Sequence, residues 1–199
     1  IISDKLGLNV WDVIEAAKTK NFGYRSFNPG PGVGGHCIPI DPIYLSWLMG
    51  KKKYKTKIIE ISSKLNSSMP NWVFNKICDH IKKNKIKYKK LLFIGIAYKK
   101  NTSDTRGSPS VEIIKRFLKK KYFVKFYDPY VKNYSLKNKY FKEKTINFSS
   151  IKNHSKNAIV IIGTDHKNIN YKSILKVSKT VFDTRGVLRN ITNKKIIYV

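Results

Sequence analysis

The 199-residue sequence is short of acidic residues, of cysteine and of long apolar runs, and each deficit excludes something. Only 12 Asp and Glu stand against 41 Lys and Arg, a formal net charge of +29 at pH 7. Two cysteines, Cys37 and Cys78, are too few for a disulfide scaffold. His36-Cys37 are adjacent and Cys78-x-His80 is closer than the usual ligand pairs, so no metal site is expected. No apolar run reaches the ~18 residues of a membrane-spanning helix, and no signal-peptide pattern is visible. The expectation is a soluble, cytoplasmic protein with no membrane partner. The excess of base fits either a nucleic-acid-binding module or a compositional bias toward Lys, Asn, Ile and Tyr. The lysines run the length of the chain, and no zinc finger, recognition helix or RNP-type motif accompanies them, so no specific nucleic-acid partner is expected. An anionic ligand would share the same positive field.

What is present is a change of rhythm along the chain. Leu6, Val10, Val13, Ile14 and Ala17 have helical spacing, so a helix is expected over residues 1–20. The sequence does not begin with Met, and a fragment of a longer protein is expected. Residues 21–42 are rich in Gly and Pro and lack periodicity. From 43 to about 84 the pattern is helical through Ile58, Ile61, Leu65, Trp72, Val73, Ile77 and Ile81. Pro70 suits the first turn of a second helix, with Ser68 as a nearby cap, so two helices or one bent helix are expected. From Leu91 strands and helices alternate: "LLFIGIAY", then "SPSVEIIKRFLKK" with Ser108 as cap and Pro109 first, then "YFVKFYDP", "NAIVIIGTDH", "YKSILKV", "TVFDTRG" and "KKIIYV". This order argues an α/β fold with a parallel sheet covered on both faces. Ligands of such sheets bind beyond the carboxyl ends of the strands. There the sequence places Lys99, Lys100, Arg106 and Arg185, cations suited to phosphate, although Asp104 and Asp183 are also placed to pair with the arginines. No Gly-rich dinucleotide turn follows Ile94.

The segment "PGPGVGGHCIPIDP" at 29–42 holds four glycines and four prolines around Cys37. Gly34 and Gly35 let backbone approach a bound group, and a thiol beside them can attack an aldehyde carbon. His36 and Asp41 are placed to tune it. The alternative is a structural turn around a buried cysteine.

These residues resemble the nucleotide-sugar 6-dehydrogenases, the family that contains UDP-glucose dehydrogenase. "GPGVGGHCIPIDP" is similar to its catalytic cysteine segment. "GIAYKKNTSDTRGSPSVEII", "FYDPY" and "VFDTRG" are similar to successive strand ends of its C-terminal domain, and "KLGLNVWDVIEAA" to the helix before the cysteine loop. The resemblance implies the tail of an N-terminal NAD domain at 1–20, a cysteine loop and central helical dimerisation region at 21–88, and a Rossmann-like UDP-sugar-binding domain at 89–199. The NAD-binding Rossmann domain itself is missing from the sequence, so the chain alone is not expected to turn over.

The implied chemistry is oxidation of a sugar C6 alcohol to the acid in two hydride transfers, with NAD as cofactor and a surface-polysaccharide precursor as product. The resemblance makes Cys37 the nucleophile that carries the thiohemiacetal and thioester, and Asp41 the group that positions water. It assigns Tyr24, Arg25, Phe27, Gly30, Gly34, Lys99 and Arg185 to the substrate, and Arg106 and Gly35 to the cofactor. A homodimer through the central helices is implied. Gly107 departs from the family, which has an acid there. His36 before the cysteine resembles the branch that acts on UDP-N-acetylhexosamines (UDP-GlcNAc or UDP-ManNAc). UDP-glucose is the alternative substrate, and His36 either reads the N-acetyl group or braces the loop.

Overall fold

Local signals set the ends of the first helices. In the computed structural model, which describes residues 1–135 and 142–199, the expected helix over 1–20 is two short ones, α1 (Ile2–Lys5) and α2 (Val10–Ala17). Gly7 takes a left-handed φ of 68°, and the Asn9 side chain accepts from the Trp11 amide to start α2. The apolar spacing was right, but a glycine and a cap inside it broke the helix. After the Gly/Pro loop come α3 (Asp41–Lys51), with Pro42 in its first turn, and α4 (Lys57–Lys83).

Helix α4 runs through Pro70 as one helix, so of the two expected arrangements, two helices or a single one, the single helix is found. Ser68 caps nothing; its hydroxyl donates to the Leu65 carbonyl. Proline lacks an amide hydrogen for the carbonyl four residues back, that of Asn66. The helix survives because its second half is anchored. Val73, Phe74, Ile77 and Ile81 are buried on the sheet. Full burial of each such side chain is worth about 1.5–3 kcal/mol.

The α/β part follows the expected alternation: β1 (Lys90–Ile94), α5 (Pro109–Lys119), β2 (Phe123–Tyr127), β3 (Asn133–Ser135), β4 (Lys142–Lys144), α6 (Ile151–Ser155), β5 (Ile159–Ile162), α7 (Tyr171–Val177), β6 (Val181–Asp183) and β7 (Ile196–Tyr198). Five strands form one parallel sheet in the order β2-β1-β5-β6-β7, and β3 and β4 form a separate antiparallel pair. Period-two alternation sorts the core. Leu91, Phe93, Ile159 and Ile161 face α4 and α5, while Leu92, Ile94, Val160 and Ile162 face α6 and α7. Ser108 has the extended backbone of an N-cap, yet its hydroxyl makes no cap bond, so Pro109 and the Glu112 carboxylate carry the start of α5.

The register decides where the motifs meet. Ile94 pairs with Tyr127 and Ile162, and Ile162 with Asp183. Gly95, Asp128, Gly163 and Thr184 therefore follow their strands at one level, on one edge. Strand order reverses between β1 and β5, which makes their carboxyl ends the crevice where such sheets take ligands.

Candidate active site

The edge is built on two buried carboxylates. Asp128 Oδ2 accepts from the amides of Ile96 (2.8 Å) and Ala97 (3.2 Å), and Oδ1 from those of Tyr130 and Val131. His166, fully buried, bonds the same Oδ2 through Nε2 at 3.1 Å, and its Nδ1 accepts from the Asn101 amide at 2.9 Å. Asp128 and His166 thus hold both ends of the turn after β1 that carries Lys99 and Lys100. Burial by itself would raise the Asp128 carboxyl, but the His166 bond and the backbone amides outweigh it and leave the group below its ordinary value. Asp183 accepts from the amides of Arg185 and Leu188, which shapes the DTRG turn; there burial prevails and the carboxyl is raised.

His166→Ala is expected to destabilise the fold by about 3–5 kcal/mol, because it removes a buried hydrogen-bond partner of both Asp128 and the Asn101 amide and leaves a cavity where a fully buried ring stood. That corresponds to a melting temperature lower by roughly 10 °C. The lowered Asp128 carboxyl contributes stability above its ordinary value near pH 4, and the contribution is lost as pH falls below it. Urea melts between about pH 3 and 7 should show a larger acid-side loss in the native chain than in Asp128→Asn.

The cysteine loop docks onto this edge through glycines. A Cβ at Gly30 would lie 2.5 Å from Arg185 Nη1, and one at Gly34 2.5 Å from the Gly107 carbonyl oxygen. Gly35, at φ 94°, lies against the Tyr98 ring and donates its amide to the Arg106 carbonyl at 3.0 Å. Gly107, at φ 60°, has the Gly35 carbonyl 3.1 Å from where a Cβ would stand. In this backbone glycine is favoured at 107, because a side chain there would take a left-handed φ and crowd the Gly35 carbonyl. Beyond the docked part Cys37 is exposed and in no disulfide, and its carbonyl accepts from the Ile40 (3.0 Å) and Asp41 (2.8 Å) amides at the start of α3. The Asp41 carboxylate is exposed.

Two arginines flank the loop differently. Arg106 grips the Asp104 carboxylate with Nε and Nη2, which holds that carboxyl down at about 2. Its side chain is 65% exposed, Nη1 makes no bond among the described residues, and its charge interacts with Cys37. Arg185 is half-buried, donates Nε to the Gly163 carbonyl at 2.9 Å, and forms no salt bridge among the described residues. Asp183 binds its backbone rather than its guanidinium. Burial lowers Arg185, with Asp165 and Tyr171 opposing. A desolvated cation in no salt bridge with the described residues is suited to an incoming anion.

The structure thus brings together Gly30, Gly34, Gly35, Cys37, Arg106 and Arg185. Lys99 lies nearby, with Nζ 5.4 Å from the centroid of the Tyr98 ring on which Gly35 packs. Tyr24, Arg25 and Phe27 stand apart on the exposed start of the loop, where the Arg25 guanidinium lies 5.7 Å from the Phe27 ring. They form no hydrogen bond or ion pair with the other described residues. Sequence reasoning assigned no role to Tyr98, Asn66, Asp128 or His166. "FYDPY" and "GTDH" marked the last two as acid and imidazole at strand ends; nothing marked the first two.

A parallel sheet of flavodoxin-like order, with a cysteine loop docked on its carboxyl edge, defines a nucleotide-binding α/β protein joined to a central helical region. The chain belongs to the UDP-glucose/GDP-mannose dehydrogenase family: the family's central domain matches residues 1–68 and its UDP binding domain residues 92–190. A UDP-N-acetyl-D-mannosamine dehydrogenase from Methanococcus maripaludis is 37% identical over 98% of this chain and 44% of its own length. A UDP-glucose 6-dehydrogenase from Rickettsia prowazekii is 30% identical over 98% of this chain and 46% of its own. The solved structure of a UDP-D-ManNAc dehydrogenase from Pyrococcus horikoshii superimposes with a TM-score of 0.78 at 30% identity, over 99% of this chain and 45% of that one. The chain therefore spans less than half the length of the curated relatives it matches. Among the described residues no helix is long and apolar enough to cross a membrane.

Proposed function

We propose that this chain carries the central and C-terminal portions, divided near residue 88, of an NAD-dependent nucleotide-sugar 6-dehydrogenase that converts a UDP-N-acetylhexosamine to its uronic acid. The observation that carries the reading is Arg185: a half-buried guanidinium that forms no salt bridge among the described residues, pressed against Gly30 of the cysteine loop. A diphosphate or a sugar carboxylate supplies the missing anion. Lys99 and Arg185 hold the substrate from the sheet edge, and Tyr24, Arg25, Phe27, Gly30 and Gly34 line the loop that covers it. The Cys37 sulfur bonds to the C6 aldehyde carbon, and the oxygen takes a proton to give the thiohemiacetal. After oxidation of this adduct, water attacks the thioester carbon, positioned by Asp41. The C–S bond breaks, and carboxylate and thiol separate. NAD, when bound, supplies the acceptor for both hydrides. Arg106 fits it through the exposed, unbonded Nη1, and Gly35 through a surface without a side chain, its amide being taken by Arg106.

The N-acetylhexosamine assignment rests on His36 and on relatives named as UDP-N-acetyl-D-mannosamine dehydrogenases; the UDP-glucose 6-dehydrogenase relative keeps UDP-glucose as the second reading. A cytoplasmic location belongs to the same proposal, as does a homodimer. The latter is supported by the apolar side chains that α3 and the first half of α4 expose: Tyr44, Trp47, Ile58 and Ile61 are each at least 60% exposed.

The full-length gene product, given NAD and each UDP-sugar, is expected to form two NADH per uronate and to favour a UDP-N-acetylhexosamine over UDP-glucose by about 100-fold in kcat/KM. Preference for UDP-glucose overturns the branch assignment, and no NADH with any UDP-sugar overturns the function. Light scattering should show a dimer at micromolar concentration. Oligonucleotide binding that persists at physiological salt would instead favour a nucleic-acid role for the basic surface.

A further inference from the structure

The docked loop is held from a second side, by helix α4. The Val33 amide donates to Asn66 Oδ1 at 2.7 Å, and Asn66 Nδ2 donates back to the Val33 carbonyl at 3.0 Å. The side-chain amide pairs with a residue of the loop as a neighbouring strand would, satisfying both of its backbone groups. The same turn of α4 is opened by Pro70, which has no amide hydrogen to offer the Asn66 carbonyl. Gly32 lies there with a φ of 132°. A Cβ on it would meet the Asn66 carbonyl oxygen at 3.5 Å, Oδ1 at 3.6 Å and Pro109 Cγ at 3.4 Å. Residues 32–33 are therefore wedged between α4 and the start of α5. Gly34 and Gly35 follow directly onto Gly107 and Tyr98, and Cys37 comes two residues later.

We propose that Asn66 is the positioning residue of the cysteine loop. It ties Val33 to α4, so the loop that presents Cys37 is fixed to the central helix as well as to the sheet domain. The Cys37 thiol is exposed; after it the loop is held by its carbonyl, which accepts from the Ile40 and Asp41 amides, and before it by the clamp at Val33 and the glycine dock at 34–35. Asn is suited to this task because it offers one donor and one acceptor at the reach of a single methylene. Asp keeps only the acceptor, and Ala keeps neither. The role in turnover rests on the proposed dehydrogenase reading; the clamp itself does not.

The test compares Asn66→Ala and Asn66→Asp, with Ser67→Ala, one residue along the same helix, as a control. Hydrogen exchange on this chain is expected to show the Val33 amide exchanging at least about tenfold faster in Asn66→Ala, and less so in Asn66→Asp, with the Ile77 and Ile81 amides unchanged. In the full-length enzyme Asn66→Ala should lower kcat about 100-fold, while KM for the UDP-sugar moves within about threefold. A merely structural asparagine would lower the melting temperature without that split. Unchanged Val33 exchange in Asn66→Ala overturns the clamp. Native kcat in Asn66→Ala, in an enzyme that Cys37→Ala inactivates, overturns the positioning role. If Cys37→Ala is itself active, the dehydrogenase reading has failed instead, and the exchange of Val33 still decides the clamp.

Discussion

Cys37→Ala is expected to abolish uronate formation in the full-length enzyme, by at least about 1000-fold, while UDP-sugar binding persists. The reason lies in the division of labour across the site. The groups proposed to hold the substrate, Arg185 and Lys99, stand on the sheet edge and are anchored independently of the thiol: Arg185 by the Gly163 carbonyl and Asp183, and the Lys99 turn by Asp128 and His166. Removing one sulfur leaves that anchoring intact. It removes the one thiol of the loop, the group that would carry the thiohemiacetal in the proposed reaction, so the second oxidation loses its adduct. Cys78 provides the control. It is half-buried against the α4–α5 core, and burial raises its thiol, which makes it the poorer nucleophile. Cys78→Ala should retain activity. The measurement is NADH release together with isothermal titration of the UDP-sugar. Undiminished NADH in Cys37→Ala removes the nucleophile assignment.

Gly34→Ala is expected to lower kcat about 100-fold without unfolding the chain. The added methyl arrives 2.5 Å from the Gly107 carbonyl oxygen and 3.0 Å from both Pro109 Cδ and Tyr98 Cβ. Two of these neighbours are held fast, one being backbone and the other the rigid ring that opens α5, so the loop is the part that moves. A displacement on the order of 1 Å takes Cys37 out of attacking geometry, a loss that no change in its chemistry would produce. The Gly35 amide, bonded to the Arg106 carbonyl in the docked loop, should then lose its protection from exchange. Gly50→Ala serves as the contrast: it lies in α3 with nothing within 4 Å of the new methyl, and is expected to be neutral or stabilising by up to about 1 kcal/mol. Activity of Gly34→Ala within about twofold of the native enzyme would mean that the docked loop is not the working arrangement.

The glycines illustrate how far the sequence could be read. Their clustering around Cys37 showed that backbone must come close to something, and an incoming sugar was the natural partner. In the structure Gly34 and Gly35 approach Gly107 and Tyr98 of the chain itself, more than sixty residues away, so part of their task is docking. Pro70 left two arrangements open for a related reason. Proline in a helix is normally a start signal, and local pattern cannot reveal that the following residues, from Val73 to Ile81, are buried on a sheet and hold the helix together across it. Asn66 was invisible because an asparagine in an exposed helical stretch carries no signal until its loop partner is known.

Taken alone, the sequence determined what depends on neighbours along the chain. Periodicity and turn residues set the alternation of strands and helices, the parallel sheet, and the cations at the strand ends. The cysteine segment set the family and the nucleophile to test. The tertiary structure decided what depends on register and on contacts between distant segments. It decided which arginine pairs with its neighbouring acid, Arg106, and which forms no salt bridge among the described residues, Arg185. It also buried Asp128 against His166 and clamped the cysteine loop between α4 and the sheet. Those outcomes turn on distances of a few ångströms between groups far apart in sequence, and on how much water remains around each charge, neither of which is set by local order.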